Sequence, residues 1–201
     1  EGARTRSAHS EPFQQSHLIE TTEQADHETE VDQSLAQTPT ASFTSVQGKA
    51  MMGKGARPPL QIASFGFFLP HKGLPELVEA VLILKKQGQA CHLLMLNAQY
   101  PAEVSADAIR SVRELVARLG LEAEVTIDTA FYSNEQSLQL LAAVDLAVFP
   151  YQETGESASG AVRQAIASGT PVAVTPLAIF EDVQAATYAL PGCTPIDIAA
   201  G

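Results

Sequence analysis

Past residue 59 the chain alternates between two kinds of apolar pattern. Residues 60–68, 91–98, 123–130, 145–151 and 171–178 are short, nearly continuous apolar runs, and 187–190 is a smaller one. Runs of that length, bounded by turn residues, predict strands buried on both faces. Between them the apolar positions recur with helical spacing. Over 73–88, Leu77, Val78, Val81 and Leu84 fall on one face, with Lys85 and Lys86 near the C-terminal end where they suit the helix dipole. Residues 106–120 predict a second helix closed by Gly120. Residues 134–144 predict a third with Asn134 as its N-cap, and 157–169 a fourth ending at Gly169. A short helix is expected over 180–186 and a further helix start at 195–201. Strands alternating with helices across short loops predict an α/β fold, an open, doubly wound and mostly parallel sheet.

Residues 1–50 break this pattern. They are rich in Glu, Gln, Ser, Thr, His and Asp, and no helical or alternating period persists. Such a segment lacks the apolar surface to offset its ordering entropy. We expect a polar, largely disordered linker or tail over residues 1–58, with at most a short helix near 17–36, and a compact domain over 59–201. Gly53, Gly55, Pro58 and Pro59 punctuate the boundary. His9, His17 and His27 lie in the tail without the spacing of a metal-binding pair. The first fifteen residues lack an apolar core, so no secretory signal is expected.

Composition narrows the function. The 201 residues carry 12 Lys and Arg against 23 Asp and Glu, a net charge of −11. Residues 1–50 hold 8 acidic and 3 basic groups, which leaves 15 and 9 for the rest. An acidic compact region argues against nucleic acid as a partner. It does not exclude a small anion held locally. No apolar run reaches the eighteen residues of a membrane span. Cys91 and Cys193 are far apart and are expected to be buried free thiols of a reducing compartment.

In a doubly wound sheet, ligands sit beyond the carboxyl ends of the strands, so three strand-to-helix loops are candidates. In the first, Gly66 ends a strand and Lys72-Gly73 opens a helix. Backbone N–H groups with one point charge would cradle an anion. An exposed lysine at a helix start is the plainer alternative. Neither the phosphate-loop nor the dinucleotide glycine pattern is present. The second loop runs over 151–164. Ser157, Ala158, Ser159 and Gly160 leave the backbone open to a pyrophosphate, and helical spacing places Glu156, Gly160 and Gln164 on one line. Arg163 adds charge to the site or is a surface residue. In the third, Phe131 offers a ring for a base to stack on, or staples the following helix.

Together these segments resemble one family. Phe65-Gly66, Lys72-Gly73, Val148-Phe149-Pro150, Glu156, Gln164-Ala165 and Gly169-Thr170-Pro171-Val172 look like the C-terminal, donor-binding domain of glycosyltransferase family 4 (group 1). These are retaining enzymes of the GT-B fold, and their signature is a Glu, seven residues, a second Glu-Ala and a Gly-x-Pro-Val strand. The resemblance covers residues 60–201. It implies a Rossmann-like domain that binds a nucleotide-diphosphate sugar and passes the sugar to a glycan or lipid-linked acceptor, with no cofactor and no metal. Polysaccharide or glycolipid assembly in the cytoplasm, including at the inner face of the membrane, is the implied setting.

Residue by residue, Lys72 matches the lysine that contacts the donor phosphate. Glu156 matches the glutamate beside the transferred sugar, and the backbone of Ser157 to Gly160 the amides that bind the diphosphate. Gln164 stands where a second glutamate holds the ribose. Gly66, Gly73, His71 and Phe131 complete the expected donor site. Two positions depart from the family. Phe67 stands where an arginine often shares the phosphate charge, and Gln164 is neutral. Loss of two charge-assisted contacts would cost about 1.5–3 kcal/mol each. Either His71 or Arg163 compensates, or the domain is a degenerate binding or scaffold module. A different doubly wound protein such as an epimerase fits the signature segment less well. GT-B enzymes need roughly 300 residues for two sheets, so an acceptor-binding domain, on this or another chain, is expected to be missing here and the chain alone to be inactive.

Overall fold

The computed structural model describes residues 58–201. The tail expected over residues 1–58, all but Pro58, and the short helix expected near 17–36, with His9, His17 and His27, lie outside the described residues.

Six parallel strands form one sheet: β1 Leu60–Phe67, β2 Cys91–Ala98, β3 Val125–Asp128, β4 Leu146–Phe149, β5 Val172–Val174 and β6 Tyr188–Ala189. Their order is β3-β2-β1-β4-β5-β6, and each neighbouring pair runs parallel. The chain steps outward from β1 to β3, then returns to place β4 against the other side of β1. The order reverses between β1 and β4, and that reversal opens a crevice beyond their carboxyl ends.

Among the described residues, five α-helices cover the sheet: α1 Leu74–Lys86, α2 Glu103–Leu119, α3 Asn134–Ala142, α4 Gly160–Ala167 and α5 Pro195–Ala200. Alternate strand residues feed opposite layers, as the pleat requires. Ile62, Val148 and Ala173 join a core with Leu77, Val81, Val112 and Ile198 of α1, α2 and α5. Ala63, Ala147, Phe149, Val172 and Val174 join the other, with Leu141, Val162 and Phe180. This two-sided burial is why the strands read as continuous apolar runs. Ser64 Oγ donates to Asn97 Oδ1 at 2.6 Å, so the polar pair inside β1 and β2 is satisfied.

Several predicted boundaries move for local reasons. The first turn of α2 starts at Glu103, not 106, and Ser105 Oγ within it donates to the Phe68 carbonyl. Ser133, not Asn134, caps α3, in a reciprocal box with Gln136. Residues 178–186 form 3-10 turns rather than an α-helix. The fourth helix begins at Gly160, not 157, because Ser159 takes the capping position and its Oγ accepts from the Val162 N–H. Cys91 is buried, as expected, while Cys193 is half-buried, and both are free.

Candidate active site

A cavity of about 500 Å³ opens at the carboxyl ends of the strands. Three loops line it: the one after β1, the one between β3 and α3, and the one between β4 and α4. These are the three loops singled out in the sequence.

The β1 and β4 loops are locked together. Gly73 adopts φ +67°, and a Cβ there would lie 1.8 Å from the Pro150 carbonyl oxygen. Only glycine permits both the angle and the approach. Gln152 N–H donates to the His71 carbonyl at 2.8 Å. Gly66, at φ +123°, brings the end of β1 against α4, where an added Cβ would sit 3.2 Å from Ala161 Cβ. The glycines seen in the sequence thus set the width of the crevice.

Lys72 lies in a 3-10 turn, Pro70–Lys72. It is not the exposed lysine of the plainer reading, since only 8% of it is exposed. Its Nζ donates to Glu156 Oε2 at 3.0 Å and stands 4.0 Å above the Tyr151 ring. The Tyr151 hydroxyl in turn shares a hydrogen bond of 3.0 Å with Ser159 Oγ. One buried tyrosine therefore connects the cation to the cap of α4. Tyr151 was missed in the sequence; its only signal there was a polar aromatic at the end of an apolar strand.

Glu156 is not on the α4 helix, so the single line of Glu156, Gly160 and Gln164 does not form. It reaches Lys72 from the preceding loop, while Gly160 and Gln164 lie one turn apart on α4. His71 Nε2 lies 3.2 Å from Glu156 Oε1, within ion-pair range but off the line of a hydrogen bond. Burial and the neighbouring Lys72 charge lower the His71 pKa from its ordinary value, against the pull of Glu156. Desolvation pushes the Glu156 carboxyl up, but the Lys72 hydrogen bond and charge, with His71, outweigh it and hold the group below its ordinary range.

Of the expected residues, Gly66, Lys72, Phe131, Glu156, Ala158, Ser159, Gly160 and Gln164 line the cavity. His71 stands behind Glu156, and Gly73 is buried beneath Pro150. Ser157 is exposed and does not line it. Arg163 is engaged with Asp182 and the Ser159 carbonyl, outside the lining. The N–H groups of Gly160 and Ala161 belong to the first turn of α4 and have no partner within the helix. They and Lys72 border the same space, an arrangement able to hold an anion.

The far wall is apolar. Phe67 and Phe131 stack at 6.4 Å between ring centroids, and Tyr100 packs edge-on to Phe67. Phe131 is 79% exposed, so it does not staple α3. Tyr132 donates to Asp128, and that hydrogen bond, with burial, pushes its hydroxyl pKa up to about 12.

A family model described as "Glycosyl transferases group 1" matches residues 59–200. The chain belongs to the group 1 glycosyltransferases. No curated protein matches the chain. A glycosyltransferase from Rickettsia africae superposes at a TM-score of 0.61 and 18% identity, over 72% of this chain and 37% of that one. The C-terminal domain of the group 1 protein LpcC from Francisella tularensis gives 0.58 and 20%, over 71% and 73%. Anabaena HepE, solved with UDP and glucose, gives 0.57 and 18%, over 71% and 37%. These likenesses show the Rossmann-like fold of GT-B C-terminal domains. The chain spans little more than a third of the Rickettsia and Anabaena proteins. No helix among the described residues of this group 1 member is long and apolar enough to cross a membrane.

Proposed function

We propose that this chain is the donor-binding half of a retaining glycosyltransferase that takes a nucleotide-diphosphate sugar. The supporting observation is the buried Lys72 facing the open N-terminus of α4 across the β1–β4 crevice. As the bond between the sugar and the diphosphate breaks, negative charge grows on the leaving phosphate. Lys72 and the Gly160 and Ala161 N–H groups stabilise that charge without reorganising. A phosphate at Lys72 takes the place of Glu156 Oε2, which frees the carboxylate to accept from sugar hydroxyls. Gln164 accepts from the ribose as a neutral amide. The residues ask for no metal or cofactor, because cation and helix terminus meet the phosphate charge.

The acceptor, a glycan or lipid-linked sugar in the cytoplasm or at the inner membrane face, is met by an acceptor-binding domain on this or another chain. Residues 59–201 on their own are therefore expected to bind the donor without transferring its sugar, and robust transfer by them would contradict the assignment. In the intact enzyme Lys72→Ala should lower turnover about a hundredfold; unchanged turnover would remove Lys72 from the mechanism. A second reading, a non-catalytic binding or scaffold module, draws on Phe67 and the neutral Gln164. Calorimetry with a panel of sugar nucleotides separates the two. Saturable micromolar binding of one supports the enzyme, and binding of none supports the module.

A further inference from the structure

The cavity has one cation and an aromatic wall, and the two are unequal partners for a nucleotide. Lys72 is the only basic residue among the described residues lining it. That charge is already met by Glu156 at 3.0 Å and by the Tyr151 ring. Arg163 is held by Asp182, and His71 is turned to Glu156. A phosphate therefore exchanges one good partner of Lys72 for another, and from the Gly160 and Ala161 N–H groups, which are open to water, it gains only the modest net worth of a solvent-exchanged hydrogen bond, so the net gain in the ground state is small. The opposite wall has no such competitor. Phe67 and Phe131 leave 38% and 79% of their surfaces exposed. Their rings are 24° from parallel and 6.4 Å apart. Apolar ring faces already ordered and still wet are ready for a planar ring to cover them. Tyr100 braces Phe67 edge-on, and Phe131 leans on Phe67 in turn, so Phe67 gives up little side-chain freedom on binding.

We infer that this site holds its nucleotide chiefly through the base, on the Phe67–Phe131 platform, and only weakly through the phosphates. The inference rests on the donor-binding reading and specifies how that site selects its ligand. The Lys72 charge then acts mainly where phosphate charge grows in the transition state, and contributes little to ground-state affinity. The site discriminates among bases and tolerates phosphate number. Its affinity depends little on salt, because few charges are newly neutralised.

The test is calorimetric titration of the full chain with the mono- and diphosphates of uridine, adenosine, guanosine and thymidine, at 50 and 300 mM salt. For the preferred base, the monophosphate should bind within about fivefold of the diphosphate, and the salt change should shift Kd less than about fivefold. Phe131→Ala should weaken both nucleotides by the same factor, about tenfold. Phe67→Ala should do likewise. Phe131 is so exposed that its removal leaves the fold intact, which circular dichroism of the variant verifies. A diphosphate preference above fivefold, or unchanged affinity in both phenylalanine variants, overturns the inference and leaves donor binding standing. Absence of binding by every nucleotide overturns the inference together with the donor-binding reading.

Discussion

The two walls of the cavity are built on different principles. On the β1–β4 side everything is fastened: Gly73 presses on Pro150, Gln152 holds His71, and Lys72, Glu156, Tyr151 and Ser159 form one connected chain. On the aromatic side, Phe67 at the end of β1 packs against Tyr100 and Phe131, and all three rings are partly exposed, Phe131 the most. The first wall is part of the fold's own stability. The second ends in Phe131, which is 79% exposed and buries little against the fold. A substitution therefore means different things on each side. On the fastened wall, loss of function and loss of stability come together, while on the aromatic wall they separate.

The largest effect should come from Gly73→Ala. A left-handed backbone angle and a Cβ driven into the Pro150 carbonyl should together destabilise the domain by about 3 kcal/mol or more. Urea unfolding measures this, and a change below 1 kcal/mol would mean that the two loops are not locked. Tyr151→Phe comes next. It keeps the ring beneath Lys72 but removes the hydroxyl that reaches Ser159, at a cost of about 1–2 kcal/mol. The same urea experiment should show a smaller midpoint shift with an unchanged slope.

Acid should also act on the fastened wall. The His71 pKa is lowered in the fold, so His71 contributes stability above its ordinary value of 6.5 that is lost as pH falls through the folded value. Glu156 is lowered as well, and its contribution is present above 4.5 and lost as pH falls below that. Stability should thus decline from about pH 6.5 downward and again below 4.5. Glu156→Gln should flatten the second decline, and an unaltered acid profile would detach Glu156 from Lys72. The smallest effect belongs to the other wall. Phe131→Ala should change stability by less than about 0.5 kcal/mol, and a loss of 2 kcal/mol would show that the platform is structural after all.

The same contrast governs what could be read from the sequence. The strands and three site loops were legible because burial on both faces leaves uninterrupted apolar runs, and because Gly66, Gly73 and the Gln164–Val172 segment mark where the backbone must turn or approach closely. What failed to show depended on contacts between distant residues. Tyr151 reads as one more apolar strand residue until the fold sets it under Lys72. Glu156 reads as helical until Ser159 takes the cap and leaves the carboxylate in the loop. Phe131 reads as either a staple or a stacking surface, and only its exposure decides between them. Local spacing predicts elements, but the pairing of Lys72 with Glu156 spans 84 positions and leaves no local mark.

On the reading proposed above, a sugar nucleotide binds in the crevice between β1 and β4, with its diphosphate between Lys72 and the start of α4. A crystal structure of the chain soaked with the sugar nucleotide that binds best would test it most directly. Phosphate oxygens should lie within hydrogen-bond distance of Lys72 Nζ and of the Gly160 or Ala161 N–H, with Glu156 turned from the lysine toward the sugar. A nucleotide bound elsewhere on the domain, or a diphosphate in the crevice with the Lys72–Glu156 pair intact, would contradict it.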